Sequence, residues 1–128
     1  DSFNQPIGDW DVSNVQDMYQ MFYVAESFNQ PISDWDVSRA YDMGSMFALA
    51  TSFNQDISKW NISNVQNMGF MFSCAYAFDQ DISCWVIPND SRWTEPLRSI
   101  NVSYMFRQIS IRDEFKPLAL QQNKRTTV

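Results

Sequence analysis

The sequence predicts an α/β repeat solenoid, a coil with short parallel strands on one face and short helices on the other. Three observations predict it. One 25-residue period runs through the chain. Inside each period a short stretch sets apolar residues at alternate positions, with acidic residues between them in the first two units. A longer stretch then places apolar residues three and four apart.

The period is read directly from the columns. Phe3, Phe28, Phe53 and Phe78 are 25 residues apart, as are Trp10, Trp35, Trp60 and Trp85. Ile7, Ile32, Ile57 and Ile82 keep step, and so do Gln5, Gln30, Gln55 and Gln80. Met18, Met43 and Met68 follow, then the pairs Met21-Phe22, Met46-Phe47 and Met71-Phe72. A fixed period of this length is the signature of stacked units that cannot bury their apolar faces alone.

Within a unit, Trp10 and Val12 alternate with Asp9 and Asp11, which reads as a strand with one buried face. Val15, Met18, Met21, Phe22, Ala25 and Phe28 then recur at helical steps. Ser13 with Gln16, and Ser63 with Gln66, have capping-box spacing at the start of that run. The Gln column reads as a ladder of amide hydrogen bonds between coils. Asn4, Asn29, Asn54 and Asp79 form a second candidate ladder in the loop.

The chain of 128 residues suffices for one small domain. Hydrophobic content of 45% supports a packed core, and the high aromatic share of 16% sits mostly in the repeated columns. The formal charge of −6 argues against a nucleic-acid partner, which needs clustered Lys and Arg. The chain has no His, so the usual general base and metal ligand are missing. Cys74 and Cys84 are too few for a disulfide framework and lack a C-x-x-C motif, so free thiols are favoured over a pair. No apolar run approaches the roughly 20 residues of a membrane span. The chain opens inside a unit, with no leader pattern, which predicts a piece of a longer product.

The predicted solenoid spans 1–106, with units 3–27, 28–52 and 53–77 and a degenerate unit 78–106. In that last unit the Met-Phe pair expected at 96–97 appears as Met105-Phe106. Nine residues are therefore inserted, and Pro88 and Pro96 place them in a loop at about 88–98. Residues 107–128 carry five Lys or Arg against two acids, where residues 1–106 carry four against thirteen. This basic tail is expected to cap the last coil to about Leu118 and to be loose beyond it.

The unit, carried by Phe28-Asn29-Gln30, Trp35-Asp36-Val37-Ser38, Met43 and Met46-Phe47 with their counterparts, resembles the repeat of BspA-like leucine-rich-repeat surface proteins. That group includes mycoplasma-type repeat lipoproteins. The resemblance covers residues 2–87 closely and 99–106 more loosely. It implies a leucine-rich-repeat-like right-handed coil, an extracellular or cell-surface setting, and adhesion or protein binding. It implies no catalytic residue and no cofactor.

Outward-facing strand positions form two columns: Asp9, Asp34, Lys59, Cys84 and Asp11, Asp36, Asn61, Val86. The strand face of a curved solenoid is its usual binding surface. The candidate binding residues are therefore Asp9, Asp11, Asp34, Asp36, Lys59 and Asn61. The competing reading is a solvated face that only keeps the coil soluble. Four carboxylates could attract a basic protein or calcium. Lys59 interrupts the column and no G-G-x-G-x-D repeat is present, so no metal site is assigned. The Trp column reads as core rather than a sugar platform, and the Met column as filler. Asn61, Asn89 and Asn101 each begin an N-x-S sequon, which matters only on a eukaryotic secretory route.

The functional expectation is a non-catalytic surface module that binds a protein, such as extracellular matrix or another cell surface, through this face. The alternative is a structural spacer with no ligand of its own. An enzyme would need a nucleophile and base in one pocket, and the sequence offers neither. The uncapped first coil predicts self-association or only marginal stability of the isolated chain.

Overall fold

The computed structural model describes residues 2–86 and 100–121. Successive 25-residue units lie one upon the next, and each unit is a run of tight turns. In the first unit Trp10 N–H donates to the Ile7 carbonyl (3.1 Å), Val15 to Val12 (2.9 Å), Met21 to Met18 (3.2 Å) and Tyr23 to Gln20 (3.1 Å). Ala25 then donates to Phe22 (3.0 Å) and Phe28 to Ala25 (3.2 Å). The second and third units repeat this whole set at positions 25 and 50 residues on.

The α/β solenoid is thereby corrected, and with it the leucine-rich-repeat-like coil of strands and helices. Among the described residues there is no α-helix and no strand. The regular elements are two single-turn 3-10 helices, Asp113–Phe115 and Leu118–Leu120. Parallel pairing is confined to single-residue bridges, Asp17 to Asp42, Asp42 to Asn67, and Asn67 to Asn101. These bridges fall in the segment expected to be helical, not at the expected strand.

Backbone hydrogen bonding explains both departures, since every buried N–H must find a partner somewhere. At the expected strand, the Trp10 N–H closes a turn onto Ile7 and is lost to any neighbouring coil. The alternation of burial survives without a ladder: Asp34 and Asp36 are exposed while Trp35 and Val37 are buried.

At the expected helix, alternate N–H groups leave the unit. Met18, Gln20, Phe22 and Val24 donate to the carbonyls of Asp42, Gly44, Met46 and Ala48 at 2.8–2.9 Å. The residues between them close turns onto their own unit. Such a path needs left-handed backbone twice per unit, at Gln20 and Val24 (φ 57° and 60°), Ser45 and Leu49, Phe70 and Cys74, and Tyr104 and Gln108. None of these is Gly, and an α-helix cannot pass through them. Turns closed over three residues also space apolar side chains three and four apart, which mimics a helix.

The core is a set of aromatic columns. Phe22, Phe47, Phe72 and Phe106 stack at 5.5–5.8 Å, with ring planes within 6° of parallel. Phe28, Phe53 and Phe78 form a second column at 6.0 Å. The two columns touch, with Phe47 and Phe53 at 4.1 Å. Trp35 and Trp60 stack at 6.4 Å, and Met18, Met43 and Met68 are buried beside the rings. Full burial of one such side chain stabilises by about 1.5–3 kcal/mol, so the repeat multiplies one favourable contact along the stack.

Side-chain ladders tie the units together outside the core. Asn4 Oδ1 accepts the Asn29 N–H (2.9 Å) and the Gln30 Nε2 (3.0 Å). Asn29 does the same for Asn54 and Gln55, and Asn54 for Asp79 and Gln80. The tail extends this ladder, because Arg112 donates its N–H to Asp79 Oδ1 at 3.2 Å. Ile82 N–H donates to the Phe115 carbonyl, which seats the tail on the fourth unit. The loop expected at 88–98 and the end of the basic tail lie outside the described residues.

Candidate interaction surface

The predicted site residues sit on turns, not on a strand face. Asp9 lies in the turn from Ile7 to Trp10 and is exposed. Its counterpart Asp34 is also exposed and receives Lys59 Nζ at 3.0 Å. Lys59 thus neutralises part of the column that it interrupts. Both side chains are well over half exposed, so the pair contributes little stability.

Asp11 and Asp36 serve their own backbone. Asp11 Oδ1 accepts the Ser13 N–H (3.0 Å) and hydroxyl (2.6 Å), and Asp36 accepts the same pair from Ser38. These Asx turns replace the expected helix caps at Ser13. The Ser13 hydroxyl and then its N–H hold the Asp11 carboxyl below its usual value. Ser38 does the same for Asp36, helped by Arg39 and opposed by the neighbouring charge of Asp11. That opposition places the two carboxylates within electrostatic reach of each other. Asn61 keeps the geometry without the charge, its Oδ1 accepting the Ser63 N–H at 3.0 Å.

The same device recurs where the sequence reading did not look. Asp56 and Asp81 accept the N–H and hydroxyl of Ser58 and Ser83 and are likewise held ionised by them. Asp17, Asp42, Asn67 and Asn101 accept the N–H two residues on. The legible signal was an Asp or Asn at a repeated position between apolar residues, since these side chains bond the backbone N–H two residues on.

Two concave features lie away from Asp9 and Asp11. A shallow groove of roughly 270 Å³ is lined by Asp56, Ser58, Gln80, Asp81, Ser83 and Cys84. A neighbouring one of roughly 210 Å³ takes in Asn61, Trp60, Trp85 and Val86. Both thiols are free: Cys84 Sγ lies 3.3 Å from the Ser58 carbonyl, and Cys74 Sγ 3.4 Å from Gln108 Oε1. Among the described residues no three His, Cys, Asp or Glu side chains are grouped to hold a metal ion. No helix among them is long and apolar enough to cross a membrane.

These features define a repeat protein whose units are built from turns and carry an acidic edge. The chain belongs to the family described as Mycoplasma protein of unknown function, DUF285, whose model matches residues 1–110. No curated protein and no solved structure matches it.

Proposed function

We propose that this chain is a non-catalytic repeat module of a cell-surface protein, and that it binds a protein with a basic surface through its acidic edge. The carrying observation is the pair Asp11 and Asp36, whose carboxylates are fixed and held ionised by Ser13 and Ser38. Charges fixed in place lose little freedom when a partner arrives, which favours complementary binding. Asp9 and Asp34 add charge beside them. Lys59 and Asn61 bound the patch where it passes into the third unit. The surface setting is supported by the Mycoplasma family and by the resemblance of the unit to BspA-like surface proteins.

A structural spacer is the second reading. It is favoured by the same hydrogen bonds, since Asp11 and Asp36 already serve the fold. Asp9→Lys with Asp34→Lys separates the two, because neither carboxylate closes an Asx turn. Binding to immobilised oligolysine and to a panel of extracellular-matrix proteins is then measured at physiological salt. Capture that falls at least tenfold in the double variant supports the binding module. Capture that is absent in the parent, or unchanged in the variant, leaves the spacer.

A further inference from the structure

One outward column changes character along the stack. Gln20, Ser45, Phe70 and Tyr104 occupy the same place in successive units, each on left-handed backbone (φ 53–58°). The turn closes over all four alike. Tyr23 N–H donates to the Gln20 carbonyl and Ala48 to Ser45, as Ser73 does to Phe70 and Arg107 to Tyr104. Nothing in the fold therefore calls for a ring at this position, and left-handed backbone is costly for a bulky side chain. The rings are not core either. Phe70 is 38% and Tyr104 64% exposed, and their centroids lie 5.2 Å apart.

Charge changes at the same point. Segments 16–26 and 41–51 of the first two units carry Asp17, Glu26 and Asp42. Segments 66–76 and 100–110, at the same positions, carry no Asp or Glu. Asn67 and Asn101 stand where those two Asp stood and still bond the N–H two residues on, so the turn survives without the carboxylate. The one charged side chain in either segment is Arg107, exposed, with its guanidinium 5.5 Å over the Tyr104 ring. On a chain of formal charge −6, two rings and a cation are gathered where carboxylates have been removed. The two grooves near Cys84 include none of these residues.

We propose that Phe70, Tyr104 and Arg107 form a second binding site, separate from the acidic edge, for a carboxylate-bearing sugar residue of a glycan. The C–H face of a pyranose lies against an aromatic ring while its hydroxyls stay in water, so an exposed aromatic step suits it. The guanidinium fork takes a carboxylate through two parallel N–H bonds. Tyr104 holds that fork beside the rings, which sets the carboxylate next to the stacked sugar face. A neutral sugar would account neither for Arg107 nor for the change from Asp17 and Asp42 to Asn67 and Asn101 down the column. A phosphate polymer is opposed by the acidic remainder of the chain. An acidic peptide would engage Arg107 without needing the paired rings.

The probes are sialyllactose and a hyaluronan oligosaccharide, with lactose and oligoglutamate as controls. NMR titrations at physiological salt, with saturation transferred from the protein's aromatic protons, read both affinity and stacking. The parent chain should bind at least one of the acidic sugars, and the bound sugar should receive saturation on its C–H face. Phe70→Gln with Tyr104→Gln, the residue that the first unit carries there, should weaken binding at least about tenfold without lowering the melting temperature. Arg107→Gln should weaken it by about the same factor. Asp9→Lys with Asp34→Lys should leave it intact, which separates this site from the acidic edge. Binding of neither acidic sugar, binding that survives loss of both rings, or equal binding of lactose would overturn the proposal. So would oligoglutamate bound as tightly as the sugars, because the surface would then be a peptide's.

Discussion

Trp35 donates its indole N–H to the carbonyl of Ile7, 28 residues earlier, at 3.0 Å in the buried interior. Trp60 repeats the bond to Ile32. One side chain therefore stacks on the next unit's ring and bonds to the previous unit's backbone. Trp85 differs, with a buried Nε1 that finds no acceptor among the described residues. Trp60→Phe should cost about 1–3 kcal/mol, from lost volume and a lost buried bond. Trp10→Phe, at the exposed end, should cost under about 0.5 kcal/mol. Urea denaturation of the two variants checks the contrast.

Close approach of units is the reason for Gly44. A Cβ there would lie 2.5 Å from Asn67 Nδ2, 3.0 Å from the Tyr19 ring and 3.1 Å from Asp42 Oδ1. Those groups form the bond between Asn67 and Asp42 that links two units. Gly44→Ala should destabilise by about 1–3 kcal/mol, since the well-packed joint must open. A melting temperature equal to the parent's would show that the joint is loose.

Left-handed backbone at Val24 (φ 60°) carries a β-branched side chain in its least favoured region. Val24→Gly should raise stability by a few tenths to about 1 kcal/mol, the relief of strain exceeding the entropy cost of Gly. Val15→Gly, in the same unit but without positive φ, should lower it. Opposite signs in thermal melts are the expected result.

Acid should weaken the fold through four Asx turns. Asp11, Asp36, Asp56 and Asp81 are all held below 3.8, foremost by the hydroxyls of Ser13, Ser38, Ser58 and Ser83. Their native forms bind fewer protons than the unfolded chain near that value. The stabilisation is complete above the unfolded pKa and is lost as pH falls through the lower folded values. Replacing the four serines by alanine should make the loss below pH 4 shallower, as measured by urea midpoints from pH 2 to 7.

Much of the interior was legible in the sequence, because burial depends on column and period rather than on the type of element. Ile32, Trp35, Met43, Phe47 and Phe53 are buried as their spacing demands. The Asn4, Asn29, Asn54 ladder was legible for the same reason. The elements were not. Met18, Met21, Phe22 and Ala25 are spaced as on a helix, yet consecutive turns produce that spacing too. Deciding between them required knowing that Gln20 and Val24 are left-handed, and only Gly or Asn would have announced it. Ser13 looked like a helix cap because Gln16 stands three residues later, but its hydroxyl donates to Asp11, two residues before it. The acidic edge was legible as a column of charge. That Asp11 and Asp36 are spent on Ser13 and Ser38 follows only from atomic geometry.

The claim beneath all of this is that residues 18–25 pair with the next unit instead of coiling on themselves. Hydrogen-bond couplings across the amide of Gln20, measured by NMR on labelled protein, test it directly. A coupling from the Gln20 N–H to the Gly44 carbonyl is expected, with none to Gln16. A coupling to the Gln16 carbonyl, four residues back, would mean a helix and would contradict the turn-built unit.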